Sequence, residues 1–148
     1  MNNNNMNSGS NPLLTDYGAM PFVINIDRAT KQNSMFRTAI WTGENLQLVL
    51  MSINPGESIG LEVHPTHDQF IRVEQGQGMV LMGDAKDNLT LRRNVSDGFA
   101  FVVPAGTWHN LINTGTRPIR VYTIYAPPAH AHGTIHPTKA DAAQEKHE

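Results

Sequence analysis

Gly56-Glu57-Ser58-Ile59-Gly60-Leu61-Glu62-Val63-His64-Pro65-Thr66-His67-Asp68-Gln69-Phe70-Ile71-Arg72-Val73-Glu74-Gln75-Gly76 is the stretch on which the reading of this chain turns. Glu62 and His64 are two residues apart, so on an extended strand both side chains leave the same face. That is the shortest spacing at which a strand can offer two ligands to one ion. Gln69 follows after a turn containing Pro65. Beyond it, period two places Gln69, Ile71 and Val73 on one face and Phe70, Arg72 and Glu74 on the other. If Ile71 and Val73 face a core, Gln69 does too; the alternative is a rim position facing water.

A second stretch completes the first. From Gly98 the chain runs through Pro104-Ala105-Gly106 to His109 and Asn113. Gly56, Gly76, Gly98 and Gly106 suit positions where the backbone turns tightly, and Pro104 suits a fixed bend before the strand that carries His109. Glu62, His64, Gln69 and His109 are the candidate metal ligands: two imidazoles, one carboxylate and one amide oxygen. With no sulfur donor, the set suits one divalent transition ion (Mn, Fe, Co, Ni or Zn) and does not choose among them. His67 competes with His64 but lies in the turn and is expected to face outward.

Working outward, short runs rich in Val, Ile, Leu, Phe, Thr and Tyr recur every eight to twelve residues: 22–26, 35–41, 46–54, 69–74, 78–82, 89–93, 99–103, 108–112 and 119–126. Turn signals such as Asn54-Pro55-Gly56 and Asn113-Thr114-Gly115 separate them. No long helical period interrupts, so the expectation is an all-β sandwich or barrel. The Asn-rich start has nothing to bury, and residues 1–20 are expected to form a disordered tail before a barrel domain over 21–128. Pro127-Pro128 ends the last strand. The 129–148 tail is expected to pack loosely on the surface, with His130, His132 and His136 available for adventitious metal and a short helix beginning near Lys139.

The 148 residues are one domain's worth of chain. A formal charge of −2 and the lack of any Lys/Arg block give no reason to expect nucleic acid or an anionic membrane as partner. The absence of cysteine excludes disulfides, thiolate catalysis and Cys-ligated zinc. The first residues lack the basic and apolar segments of a signal peptide, so a cytoplasmic protein is expected.

The two stretches resemble the paired motifs of the cupin superfamily, Gly-x5-His-x-His-x4-Glu-x6-Gly and Gly-x5-Pro-x-Gly-x2-His-x3-Asn. The second fits at every defined position, with 21 residues between Gly76 and Gly98. The resemblance, over residues 35–126, implies a double-stranded β-helix (jelly-roll) barrel, commonly a homodimer, with one metal near its centre. The chain is also similar to small cupins likened to the mannose-6-phosphate isomerase group. It departs from the first motif twice: Glu62 stands where the family usually has a histidine, and Gln69 where it has its glutamate. One carboxylate is therefore kept but moved.

The leading expectation is a metal-dependent, isomerase-like enzyme on a small oxygen-rich substrate of the sugar or hydroxy-acid type, with Glu62 doubling as proton-transfer base. An Fe-dependent dioxygenase and a non-enzymatic ligand-sensing module use the same pocket. No Gly-rich phosphate loop is present, and Arg37, Arg72, Arg92 and Arg93 are expected to face outward.

Overall fold

In the computed structural model, which describes residues 13–145, the chain folds as α1 (Ile26–Gln32), β1 (Arg37–Thr42), β2 (Gln47–Ile53), β3 (Asp68–Gln75), β4 (Gly78–Gly83), β5 (Leu91–Val95), β6 (Ala100–Val103), β7 (Trp108–Asn113), β8 (Ile119–Ala126), β9 (Ile135–His136) and α2 (Lys139–Glu145). Six strands form one sheet in the order β6-β3-β8-β2-β1-β9, and three form a second in the order β5-β4-β7. All the named pairings are antiparallel. The fold is the all-β jelly roll expected.

Period two decides what lies between the sheets. On β8, Ile119, Val121, Thr123 and Tyr125 point inward; on β7, His109, Leu111 and Asn113 do. Val49, Met51, Ile71, Val73 and Val121 from the large sheet meet Val80, Val95 and Leu111 from the small one in a single core. Each such side chain withdrawn from water contributes about 1.5–3 kcal/mol before chain entropy is counted. β2 is buried almost throughout because its outer face is covered as well.

That cover comes from the run over 22–26, which sequence reading takes as a strand. The run has no ladder partner among the described residues and gives way to α1. Its alternation is real: Phe22, Ile24 and Ile26 lie on the outer face around Leu48, Leu50 and Tyr122. What ends the extended segment is a cap. The side chain of Asn25 accepts from the Arg28 amide at 3.0 Å, and Asp27 sits in the first turn, where the helix dipole favours a negative charge.

The tail expected over 1–20 is corrected over its second part. Residues 1–12 lie outside the described residues, but 13–20 are tied to the barrel. The Tyr17 amide donates to the Ile40 carbonyl at 2.9 Å and the Trp41 indole to the Met20 carbonyl at 2.7 Å. The 129–136 segment is also not a loose surface piece. Gln47, fully buried, donates to the His130 carbonyl and accepts from the Ala129 and His130 amides at 2.9–3.1 Å. The segment then pairs with β1, setting His136 opposite Arg37. It forms a strap across the barrel, followed by the expected helix, α2.

Glycine is required at one corner of the site's framework. Gly76 has φ +110°, and a Cβ there would come within 2.9 Å of the Ile119 Cα. Gly56, Gly98 and Gly106 share the positive φ. Among the described residues no helix is long and apolar enough to cross a membrane.

Candidate metal centre

Among the backbone joints between the two motifs, two lie at the candidate ligands. Glu62 and His109 form an isolated antiparallel bridge, with Glu62 N donating to His109 O at 3.1 Å and the reverse at 2.9 Å. One turn away, Gly106 N donates to the His64 carbonyl at 2.9 Å. Side chains on directly opposed residues stand close together, so the Glu62–His109 bridge carries the carboxylate to the buried imidazole.

The side chains converge accordingly. Glu62 Oε1 lies 3.7 Å from His64 Nε2, and Glu62 Oε2 lies 3.9 Å from His109 Nε2. One donor atom from each of the three lies within 4.8 Å of the others. Donors about 2.0–2.2 Å from a common ion, at tetrahedral or octahedral angles, stand about 3–3.5 Å apart. The two Glu–His separations, 3.7 and 3.9 Å, are a few tenths of an ångström wider, within reach of small side-chain rotations.

Hydrogen bonds orient the ligands. His109 Nδ1 lies 3.0 Å from the Thr107 carbonyl, which can only accept, so the proton of the neutral ring is on Nδ1 and the Nε2 lone pair points into the site. Gln69 is buried and donates through Nε2 to Thr123 Oγ1 at 3.0 Å, which leaves Oε1 as the free end. Among the described residues neither Gln69 Oε1 nor His109 Nε2 has a hydrogen-bond partner. Two buried acceptors without donors cost free energy unless a cation meets them. The residues present therefore fit a divalent ion. His67 is directed elsewhere, its Nε2 lying 3.1 Å from the Pro128 carbonyl.

The site opens on a cavity of about 320 Å³ whose lining includes Glu62, His64, Arg37, His130 and His136. Arg37 corrects the expectation that it faces outward: it is 5% exposed, on the inner side of β1 with Ala39. Its Nη1 lies 3.0 Å from His136 Nδ1. Since arginine only donates, His136 accepts there and holds its own proton on Nε2. Arg72 and the β5 arginines do lie outward, Arg72 pairing with Glu74 at 3.2 Å. Tyr125 floors the site, its ring 5.5 Å from that of His64 and 5.3 Å from that of His130. Burial pushes its phenol up to about 12; Glu62 adds to the rise, and the Arg37 charge and hydrogen bond oppose it.

Arg37, Tyr125, His130 and His136 are site residues that motif reading missed. Period two along Arg37-Thr38-Ala39 carried a signal for the first. The two strap histidines were noted in sequence only as possible adventitious metal binders, because their place in this site depends on how the strap folds back. The three strap histidines do not form one cluster: His132 turns to Asp16, 3.3 Å away.

The match to known proteins agrees with this geometry. Residues 49–125 match the cupin domain family. The chain belongs to the cupins. This cupin is 64% identical over 132 residues to the uncharacterized protein YrkC of Bacillus subtilis (strain 168), covering 89% of this chain and 71% of YrkC. Its fold is similar to the crystal structure of BH2720 from Bacillus halodurans, with TM-score 0.87, 58% identity, and coverage of 88% and 98% of the two chains. KdgF from Halomonas sp. is more distant, at TM-score 0.55 and 25% identity over 63% of this chain and 80% of KdgF.

Proposed function

We propose that this cupin binds one divalent transition ion through Glu62, His64, Gln69 and His109 and acts as an isomerase-like enzyme on a small oxygen-rich substrate. The observation that carries the reading is the Glu–His–His convergence at the wall of a cavity, with Gln69 Oε1 and His109 Nε2 left without donors. Four protein ligands with a cavity beside them suit catalysis better than a structural role, since structural sites are closed by their ligands. A bound ion would supply Lewis-acid polarisation of a substrate carbonyl.

The chain's own groups do the rest. Glu62, at the cavity wall, is placed to take and return a proton through the carboxylate oxygen that faces the substrate. Tyr125 stays protonated across the physiological range and offers a hydrogen-bond donor beside it. Ala129, His130 and Ala131 of the strap line the same cavity. The likeness to mannose-6-phosphate isomerase-type cupins and a cytoplasmic location belong to this same proposal. So does a homodimer, for which Phe22, Trp41, Leu46, Leu48 and Ile124 line an apolar cleft on the outer sheet face.

Elemental analysis of protein purified without a histidine tag tests the central claim. About one ion per chain is expected, with His64→Ala and His109→Ala each removing it. Metal retained in both variants would place the ion elsewhere. Light scattering at micromolar concentration tests the dimer.

A further inference from the structure

Arg37 has no role in holding a metal. Its guanidinium is almost wholly buried, yet among the described residues no carboxylate lies within ion-pair distance of it. A permanently charged group withdrawn from water without a counter-ion is costly, and such groups in proteins are paired. Its neighbours orient the charge without cancelling it. His136 accepts from Nη1 at 3.0 Å, and the Phe36 ring stacks 5.2 Å from Cζ. Nε has no partner among the described residues. Glu62 lines the same cavity, but the proposed ion would take up its charge.

His136 is delivered by the strap. The pairing of β9 with β1 sets it directly opposite Arg37, and Gln47 fixes the start of the strap from below. Three separated pieces of the chain thus hold one guanidinium at the wall of the cavity that Glu62 and His64 also line. Tyr125 lies between the two sides, its ring 5.5 Å from that of His64 and its phenol within the influence of the Arg37 charge. Arg37 and the candidate ligands Glu62 and His64 therefore face one cavity.

We infer that Arg37, positioned by His136, is a carboxylate-binding subsite, so that the ligand of this cavity is a small hydroxy or oxo acid. The planar fork of a guanidinium matches a carboxylate, and a donor set of this kind rejects a neutral analogue because its buried groups are then left unpaired. A cavity of about 320 Å³ lies at the small end of ligand pockets, roughly 300–1,000 Å³, in keeping with a short acid. This deepens the metal-centred reading and rests on it for the orientation of the acid's other oxygens. The anion subsite itself is made by the chain alone.

The experiment uses glycolate and ethylene glycol, which differ by one carboxylate, as calorimetric probes of metal-free and Mn²⁺-loaded full-length protein. Saturable glycolate binding is expected in both forms, with ethylene glycol much weaker. Arg37→Gln should weaken glycolate about ten- to a hundredfold in both forms while Mn²⁺ affinity stays within a few fold. His136→Ala, which frees the guanidinium without removing it, should cost less than Arg37→Gln. Thermal melting establishes that each variant is folded, and Arg37→Lys, which keeps the charge, should retain part of the affinity.

Absence of glycolate binding, or equal binding by native protein and Arg37→Gln, overturns the inference and leaves the metal site standing. Inorganic phosphate binding the metal-free protein as tightly as glycolate overturns the carboxylate assignment. A protein that takes no Mn²⁺ but binds glycolate through Arg37 refutes the metal-centred function and keeps the subsite.

Discussion

Exchanging the carboxylate and the amide of the metal centre tests the ligand set most directly. Glu62 supplies the formal negative charge of the Glu–His–His–Gln group, and its two oxygens stand 3.7 and 3.9 Å from the two histidine Nε2 atoms. Unit charges about 4 Å apart at an effective dielectric constant near 20 attract by roughly 4 kcal/mol, and a dication doubles this. Desolvation of the carboxylate and a replacing water return part of it. Glu62→Gln should then cost on the order of 3–4 kcal/mol, two to three orders of magnitude in Kd. Gln69→Ala removes a neutral oxygen and should cost about 10–100-fold. The double change Glu62→His with Gln69→Glu rebuilds the usual cupin set and should bind tightly, but without native activity if Glu62 is the base. Calorimetric titration of the four proteins with Mn²⁺ and Ni²⁺ ranks them. Equal affinity in native protein and Glu62→Gln would refute the reasoning.

Two further outcomes follow from the strap. Gln47→Leu removes all four side-chain hydrogen bonds and leaves the Ala129 and His130 amides without acceptors, at about 1–3 kcal/mol each if they stay buried. Lifting the strap is cheaper, so amide exchange at 129–136 should speed up far more than in the β3–β8 core; unchanged exchange there would count against the clamp. Asp16 ties three segments, accepting from Thr42 Oγ1 and from the Gly18 and Gly133 amides. Burial pushes its carboxyl up, but those bonds and His132 outweigh it and hold it below 3.8. The folded value being the lower one, the stability Asp16 confers is present above pH 3.8 and lost as pH falls through the folded value. Melting curves of native protein and Asp16→Asn should differ at neutral pH and converge in acid; a constant gap would exclude this linkage.

What the sequence determined by itself was the barrel and the candidate Glu62/His64 pair, because both are written at short range. Alternation along 69–74 and 119–126 states which face is buried whatever the partner strand, and Glu62-x-His64 shares a face on any strand. The paired motifs brought His109 to that pair, and by family resemblance they named Gln69 as a fourth candidate. The extended run at 22–26 shows the limit: its apolar alternation was legible, but sheet membership depends on a hydrogen-bonded neighbour, which no local pattern names. Arg37, His130 and His136 show it more sharply. Their meeting requires the 129–136 strap to fold back over β1 and β2, held by one buried glutamine 83 residues from the backbone it clamps. Sequence reading expected Arg37 to face outward although period two along Arg37-Thr38-Ala39 carried the opposite signal, because a buried charge made sense only once His136, Tyr125 and the cavity stood around it. The tertiary structure alone decided that, because contacts between residues 99 apart in sequence are set by the closure of the whole fold.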